Sequence, residues 1–399
     1  MDRSSVRVTG PLARYASGFW EELAAQGYRP SSAQVHLLLM ARLSGWLGGV
    51  VLDRDGLTRQ RVDEFLRVDR GRGRRPRSAK GVVPLISYLD SVGVLAPVPV
   101  AVPTVSEALL DRFRRYLLAE RGLAEGTASH YVYAGTLFLK AVDYAGGRDL
   151  GGLRAADVNE FVLGECGKRS VGSVKCVVNG LRSFLRFLHV QGITSGFLAD
   201  GVPTVAGWSG SSLPRAISGE WVRRLLGSCD RRTALGRRDF AVITLLSRLG
   251  MRVGEVSALN LGDVDWRGGQ ILVRGKGSRL ERLPLPVDVG EALADYVQQG
   301  RPCGECRSLF LRGAAPYAAL RSTSITTIVY AACDRAGLPR LGAHHLRHTV
   351  ASELLRTGAG LAEIGQVLRH RSTTTTAIYA KVDTAALRQL ARPWPGGGA

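Results

Sequence analysis

Four of the seven histidines, His344, His345, His348 and His370, fall within 27 residues, beside Arg347 and Tyr379. Such density first suggests a metal. His344 and His348 are four apart, as on a zinc protease helix, but a second histidine follows His344 and the glutamate that would serve as base is absent. Cys303-Gly-Glu-Cys306 is a single CxxC without a second pair, so neither place reads as a metal site. Phosphoryl chemistry accounts for the set better. His344 and Arg347 are three apart at a helix start, which puts both side chains on one face. Arg252 opens another helix after the break at Leu249-Gly250, with Glu255 one turn later to orient it. Two guanidiniums offer bidentate donors to the non-bridging oxygens of a phosphodiester, where transition-state charge develops. Lys276 sits in Gly275-Lys276-Gly277-Ser278, a tight turn between two β-rich runs, free to swing. A lysine can give up a proton, whereas arginine stays charged.

The elements that would position these groups are legible in outline. RRDFAVITLLSRLG, VGEVSALN and HLRHTVASELLRTG have helical period, the last stopped by Gly358. LAEIGQVLRH, TTTTAIYAKV and DTAALRQL read as shorter helices, and QILVRGKGSRLERLPLP as a β-hairpin. The tryptophans, Trp221 and Trp266 among them, read as core residues rather than base-stacking platforms. Taken singly, each candidate has a plainer use: a core aromatic for Tyr379, an ion pair for Arg252, a cap for His344, a solvated tip for Lys276. It is their joint order along the chain that argues for chemistry.

The chain has 399 residues, 54 Lys+Arg against 34 Asp+Glu, and a net charge of +20. That surplus attracts polyanions, of which nucleic acid is the usual one, with a solubilising surface as the alternative. Residues 201–399 hold most of it, with 27 basic groups against 15 acidic. Only six of the basic residues are lysines (Lys80, Lys140, Lys168, Lys175, Lys276 and Lys381), which makes a lysine at the hairpin turn stand out. Hydrophobic content of 45% and charged content of 22% exclude disorder over the whole chain. No run of about 18 uncharged apolar residues predicts a membrane span. MDRSSVRVTG lacks the apolar run of a secretory leader, and six cysteines do not make a disulfide scaffold. A cytoplasmic protein is expected.

Pro- and Gly-rich breaks at 93–104 and 194–215 divide the sequence. The predicted modules are 1–96, 104–195 and 212–399. The first two read as copies of four short helices with Ser/Thr or Asp caps: GLTRQRVDEFL lines up with GLRAADVNEFV, and PLISYLDSVGV with SFLRFLHVQGI. Inside the first copy, RGRGRRPR places Arg70, Arg72, Arg74, Arg75 and Arg77 in one loop, either a phosphate clamp or a solvated loop.

With these residues in view, the third segment resembles the catalytic domain of the tyrosine recombinase (phage integrase) family. GMRVGEVSAL at 250–259 matches its first arginine box, HHLRHT at 344–349 its H-x-L-R-H box, and LRHRSTTTTAIY at 368–379 its closing box. Residues 101–193 resemble the SAM-like, helical core-binding domain of that family. The resemblance implies a mainly α fold, with two helical modules and an α+β catalytic domain carrying a small β-hairpin or sheet. It implies that Tyr379 attacks a DNA phosphate to form a 3′-phosphotyrosyl link, with Arg252, Arg347 and His344 on the scissile phosphate. Lys276 is then general acid for the leaving 5′-oxygen, His370 a hydrogen-bond donor to the phosphate, and Glu255 and His348 supports behind them. No metal and no cofactor are needed, because cations around a phenol of pKa near 10 favour its phenolate. Arg369 stands where the family usually has glycine, and is expected to add a phosphate contact. The implied partners are double-stranded recombination sites, four protomers in a synaptic complex and accessory or partner recombinases, at the nucleoid. The implied activity is integration, excision or transposition of a mobile element. A type IB topoisomerase, or a non-catalytic DNA-binding accessory, are the rival readings.

Overall fold

The computed structural model describes residues 6–48, 57–71, 81–96, 103–147, 149–206, 215–275, 277, 279–370 and 372–382. They form two compact units, Met1–Val98 with Ser212–Ala399, and Pro99–Ser211. In the first unit, α1 (Ala16–Ala25), α2 (Pro30–Leu47), α3 (Arg59–Gly71) and α4 (Val83–Ser91) surround a cluster of their own that includes Phe19, Leu37, Met40, Phe65 and Leu89. Ser44 of α2 pins the preceding chain: its hydroxyl donates to the Thr9 carbonyl at 2.6 Å and accepts from the Leu12 amide at 3.0 Å.

The second unit holds α5 (Val105–Arg115), α6 (Glu125–Ala141), α7 (Ala155–Cys166) and α8 (Val171–Val190). Its core is aromatic, with the Phe113 and Phe184 rings 5.0 Å apart. The α6–α8 crossing is close because position 180 is glycine; a Cβ there would lie 2.7 Å from that of Ala134. The expected Ser/Thr caps occur here: Thr104 and Glu107 form a reciprocal capping box on α5, and the Ser170 hydroxyl caps α8. Around the Phe19–Met40 cluster, α1, α2 and α4 have no side-chain cap, and proline in the first turn starts α2 and α4 instead.

The rest of the first unit carries α9 (Gly219–Gly227), α10 (Ala234–Arg248), α11 (Val253–Ser257), α12 (Val287–Gln299), α13 (Ser322–Arg335), α14 (Ala343–Arg356), α15 (Leu361–Val367) and α16 (Thr373–Thr376). The expected hairpin is present as β2 (Gln270–Arg274) and β3 (Leu280–Pro284), antiparallel, with Leu272 opposite Arg282. A two-residue strand, β1 (Val264–Asp265), adds a third, paired through Val264 and Ile271. Alternation puts Ile271 and Val273 in the core with Leu245, Leu293, Val329 and Leu346. Trp266, expected in the core, is about half exposed, because it follows β1 at the turn into β2. TTTTAIYAKV does not make one helix: α16 ends at Thr376 and a tighter 3-10 segment, Ala377–Val382, follows. DTAALRQL lies outside the described residues.

Candidate active site

α10 ends at Arg248, and Gly250 turns the chain with φ +55°. A side chain at 250 would be strained by that angle, and its Cβ would lie 2.8 Å from Leu368 Cδ2. The turn places Arg252 at the N-cap of α11, where its amide donates to Glu255 Oε2 at 2.9 Å. Its guanidinium reaches Glu255 Oε1 at 2.5 Å and the Arg369 carbonyl at 3.1 Å, with the side chain still 38% exposed. Gly250→Ala should therefore cost about 1–3 kcal/mol of stability, seen as a lower thermal midpoint, and leave a poorer site.

Arg347, on α14, is buried and ties two distant turns together. It donates to the Gly250 carbonyl at 2.5 Å and to the Leu368 carbonyl. Burial, and then the positive charges of Arg252 and Arg369, push its pKa down to about 10, so it remains cationic at neutral pH. Arg252 and Arg347, 95 positions apart in sequence, thus meet at one turn, Leu368–Arg369. Glu255 lies between Arg252 and Arg369, and is 3% exposed. Burial raises its pKa, but Arg369 and the hydrogen bonds of Arg252 outweigh that and hold it below the ordinary value.

Tyr379 comes into this site from the 3-10 segment. Its ring is 1% exposed and packs with Ala351, Ile364 and Leu368. Its hydroxyl lies 2.9 Å from His348 Nδ1. Burial raises the phenol pKa, against the opposing charge of Arg347, so the resting side chain is a protonated phenol. Burial, with His344, His345 and Arg347, lowers the pKa of His348. A neutral His348 protonated at Nε2 accepts the phenolic hydrogen bond at Nδ1. His344 stands in the same row: its ring is 5.9 Å from that of His348 and 4.1 Å from that of His345. Burial, His345 and Arg215 lower its pKa.

His370 follows the Leu368–Arg369 turn and stacks parallel to Tyr379, ring centres 6.4 Å apart. Its Nδ1 is 2.7 Å from the Thr376 hydroxyl. Burial and then Arg347, Arg252 and Arg369 drive its pKa from 6.5 to about 4, so the ring is neutral. An Nδ1 that accepts from Thr376 leaves the Nε2–H as a donor. Below pH 6.5 the unfolded chain takes up a proton that the folded ring refuses until about pH 4. Stability is thus lost as pH falls through that window, by about 1–2 kcal/mol for a partly screened ring. His370→Asn should flatten that part of a plot of thermal midpoint against pH.

The structure therefore gathers Arg252, Glu255, His344, Arg347, His348, Arg369, His370 and Tyr379. Arg369 corrects the expectation of a phosphate contact. Its side chain is 2% exposed and its guanidinium donates to Glu255 Oε2 at 2.9 Å, because the turn aims it inward at a buried carboxylate. Lys276 lies outside the described residues, as do Arg72, Arg74, Arg75 and Arg77, while Arg70 falls in the last turn of α3. Sequence reasoning missed Thr376 and Thr349. The first is held against His370; the hydroxyl of the second accepts from the Ile217 amide at 2.9 Å, fastening the approach to α9 onto α14. Neither residue carries a sequence signal beyond its place in a box. Among the described residues no group of His, Cys, Asp and Glu could hold a metal ion.

The model of the phage integrase family matches residues 215–386. A Sinorhizobium fredii chain described as an integrase/recombinase, y4rA, is 41% identical over 393 residues, covering 97% of this chain and 95% of its own. Tyrosine recombinase XerC of Oceanobacillus iheyensis is 30% identical over 296 residues, 71% of this chain and 94% of its own. A solved lambda integrase tetramer bound to a Holliday junction shares the fold, with a TM-score of 0.52 and 16% identity over 81% of this chain and 89% of that one. No described helix is long and apolar enough to cross a membrane.

Proposed function

The chain belongs to the phage integrase family of tyrosine recombinases, enzymes of site-specific DNA breakage and rejoining, and from that premise we propose that Tyr379 is its nucleophile. The observation that carries the assignment is the meeting of Arg252 and Arg347 at the Leu368–Arg369 turn, with the Tyr379 hydroxyl held nearby on His348. A phosphodiester placed against that turn gains a negative charge as it becomes pentacoordinate. Preorganised guanidiniums stabilise that charge without a metal. The Tyr379 oxygen forms a bond to phosphorus as its proton passes to His348 Nδ1. The bond to the 5′-oxygen breaks, and that oxygen takes a proton from the Lys276 ammonium. His344 and the Nε2–H of His370 complete the donors. Reversal by another strand's 5′-hydroxyl reseals DNA without a nucleotide cofactor, because the phosphotyrosyl bond conserves the energy of the broken one.

Residues 212–399 form the catalytic domain in this reading, and 104–195 the core-binding module. Residues 1–96, with their arginine-rich loop, form a second helical module that lengthens the contact with DNA. The partners are double-stranded recombination sites, with four protomers exchanging strands through a four-way junction, a reading supported by the lambda integrase tetramer bound to a Holliday junction. The work is done on cellular DNA at the nucleoid, for a mobile element.

The test begins by footprinting the DNA that flanks the gene. Two direct copies of the protected sequence then go into one supercoiled plasmid, incubated with the chain and a chelator but no ATP. Resolution into two circles is the expected outcome. Relaxation without exchange would favour topoisomerase chemistry, and binding with neither would favour the accessory reading.

A further inference from the structure

Arg369 occupies a position that does not suit it. Its φ is +57°, a region non-glycine residues rarely adopt, and its Nε is buried with no hydrogen-bond partner among the described residues. A residue kept under both handicaps is held there by something else around it. That partner is Glu255. Its Oε1 takes the Arg252 guanidinium and its Oε2 takes that of Arg369. The Arg369 carbonyl meanwhile accepts from Arg252 Nη2. One residue thus touches Arg252 twice, directly through its backbone and indirectly through the shared carboxylate.

The charges give this arrangement a consequence. A buried Glu255 paired with Arg252 alone would cancel the charge that Arg252 offers to a phosphate. With Arg369 on the second oxygen, two cations share one carboxylate and a net positive charge survives at the open edge of Arg252. We infer that Arg369 is a positioning residue that offsets Glu255, so that Arg252 meets the scissile phosphate with its charge intact and its guanidinium fixed. Arg369 touches no substrate itself, since it is sealed beneath the turn. This rests on the reading that Arg252 binds the scissile phosphate. The low pKa of Glu255, to which burial and then Arg369 contribute in opposite senses, agrees with it.

The test is single-turnover cleavage of a nicked duplex by the full chain, with DNA affinity and thermal midpoint measured alongside, for the native chain, Arg369→Gln and Arg369→Lys. Gln keeps an amide hydrogen-bond donor on a shorter side chain and removes the charge; Lys keeps the charge. We expect Arg369→Gln to cleave about tenfold more slowly at unchanged affinity, and Arg369→Lys to stay within about threefold of native. Arg369→Gly, which suits the backbone angle, should be as slow as Gln, and replaces it if Gln does not fold. Cleavage by the charge-free variants at the native rate would overturn the inference, as would Lys being as slow as Gln. A native chain that forms no adduct would instead remove the functional reading on which this one stands.

Discussion

Tyr379→Phe should bind its DNA site as the native chain does and form no covalent protein–DNA adduct. The change removes one oxygen from a ring that is 1% exposed. Packing against Ala351, Ile364 and Leu368 survives, because phenylalanine fills the same volume. What disappears is the hydrogen bond to His348, 2.9 Å in the native chain. Stability should change by about 0.5–1.5 kcal/mol, as for one hydrogen bond. Chemistry has no such reserve. No other described hydroxyl is bonded to His348, and without a nucleophile there is no phosphotyrosyl intermediate. A denaturing gel with nicked duplex should show the adduct with native protein and none with the variant. An adduct formed by the variant would mean that another side chain attacks.

Arg347 should show the next largest effect, and a test needs two variants to separate its roles. Its guanidinium stabilises a developing phosphate charge in this account, and it also bridges the Gly250 and Leu368 carbonyls in the folded chain. Arg347→Ala removes both functions. Two buried carbonyls lose their donor, which should cost about 2–4 kcal/mol of stability, alongside the cleavage defect. Arg347→Lys keeps a positive charge but has no planar fork to span both carbonyls. Its cleavage should fall by about 10²–10³, the usual loss of one preorganised donor, with affinity nearly unchanged because the charge is kept and the chain carries 54 Lys+Arg with which to attract DNA. Rapid-quench cleavage with parallel thermal melts reads both quantities. Near-native cleavage by Arg347→Lys would show that charge alone suffices there.

Different parts of this site were visible from sequence for different physical reasons. Arg252, Arg347, His370 and Tyr379 lie in short ordered boxes, and local rules of helix capping and three-residue spacing already grouped His344 with Arg347. Gly250 was legible as a break after a helical run, and its left-handed angle agrees. The hairpin showed through its β-rich runs, whereas β1 is only two residues long and too short for any period to register. The inward turn of Arg369 could not be read. It depends on a left-handed backbone angle and on a carboxylate 114 positions earlier, and only folding brings those together. The same holds for His348, a support in the sequence reading, which meets the Tyr379 hydroxyl across 31 positions. The Tyr379 segment itself tightens from helix to 3-10 turns after Thr376, a change that a run of threonines does not announce.

The most direct measurement is the identity of the bond itself. Native chain would be trapped on a nicked duplex carrying its footprinted site, the adduct digested with protease and nuclease, and the nucleotide-bearing peptide sequenced by mass spectrometry. The account predicts a single peptide with the nucleotide joined through a 3′-phosphate to Tyr379, and a free 5′-hydroxyl on the released strand. A link to any other residue, or a 5′-phosphate link, would contradict it.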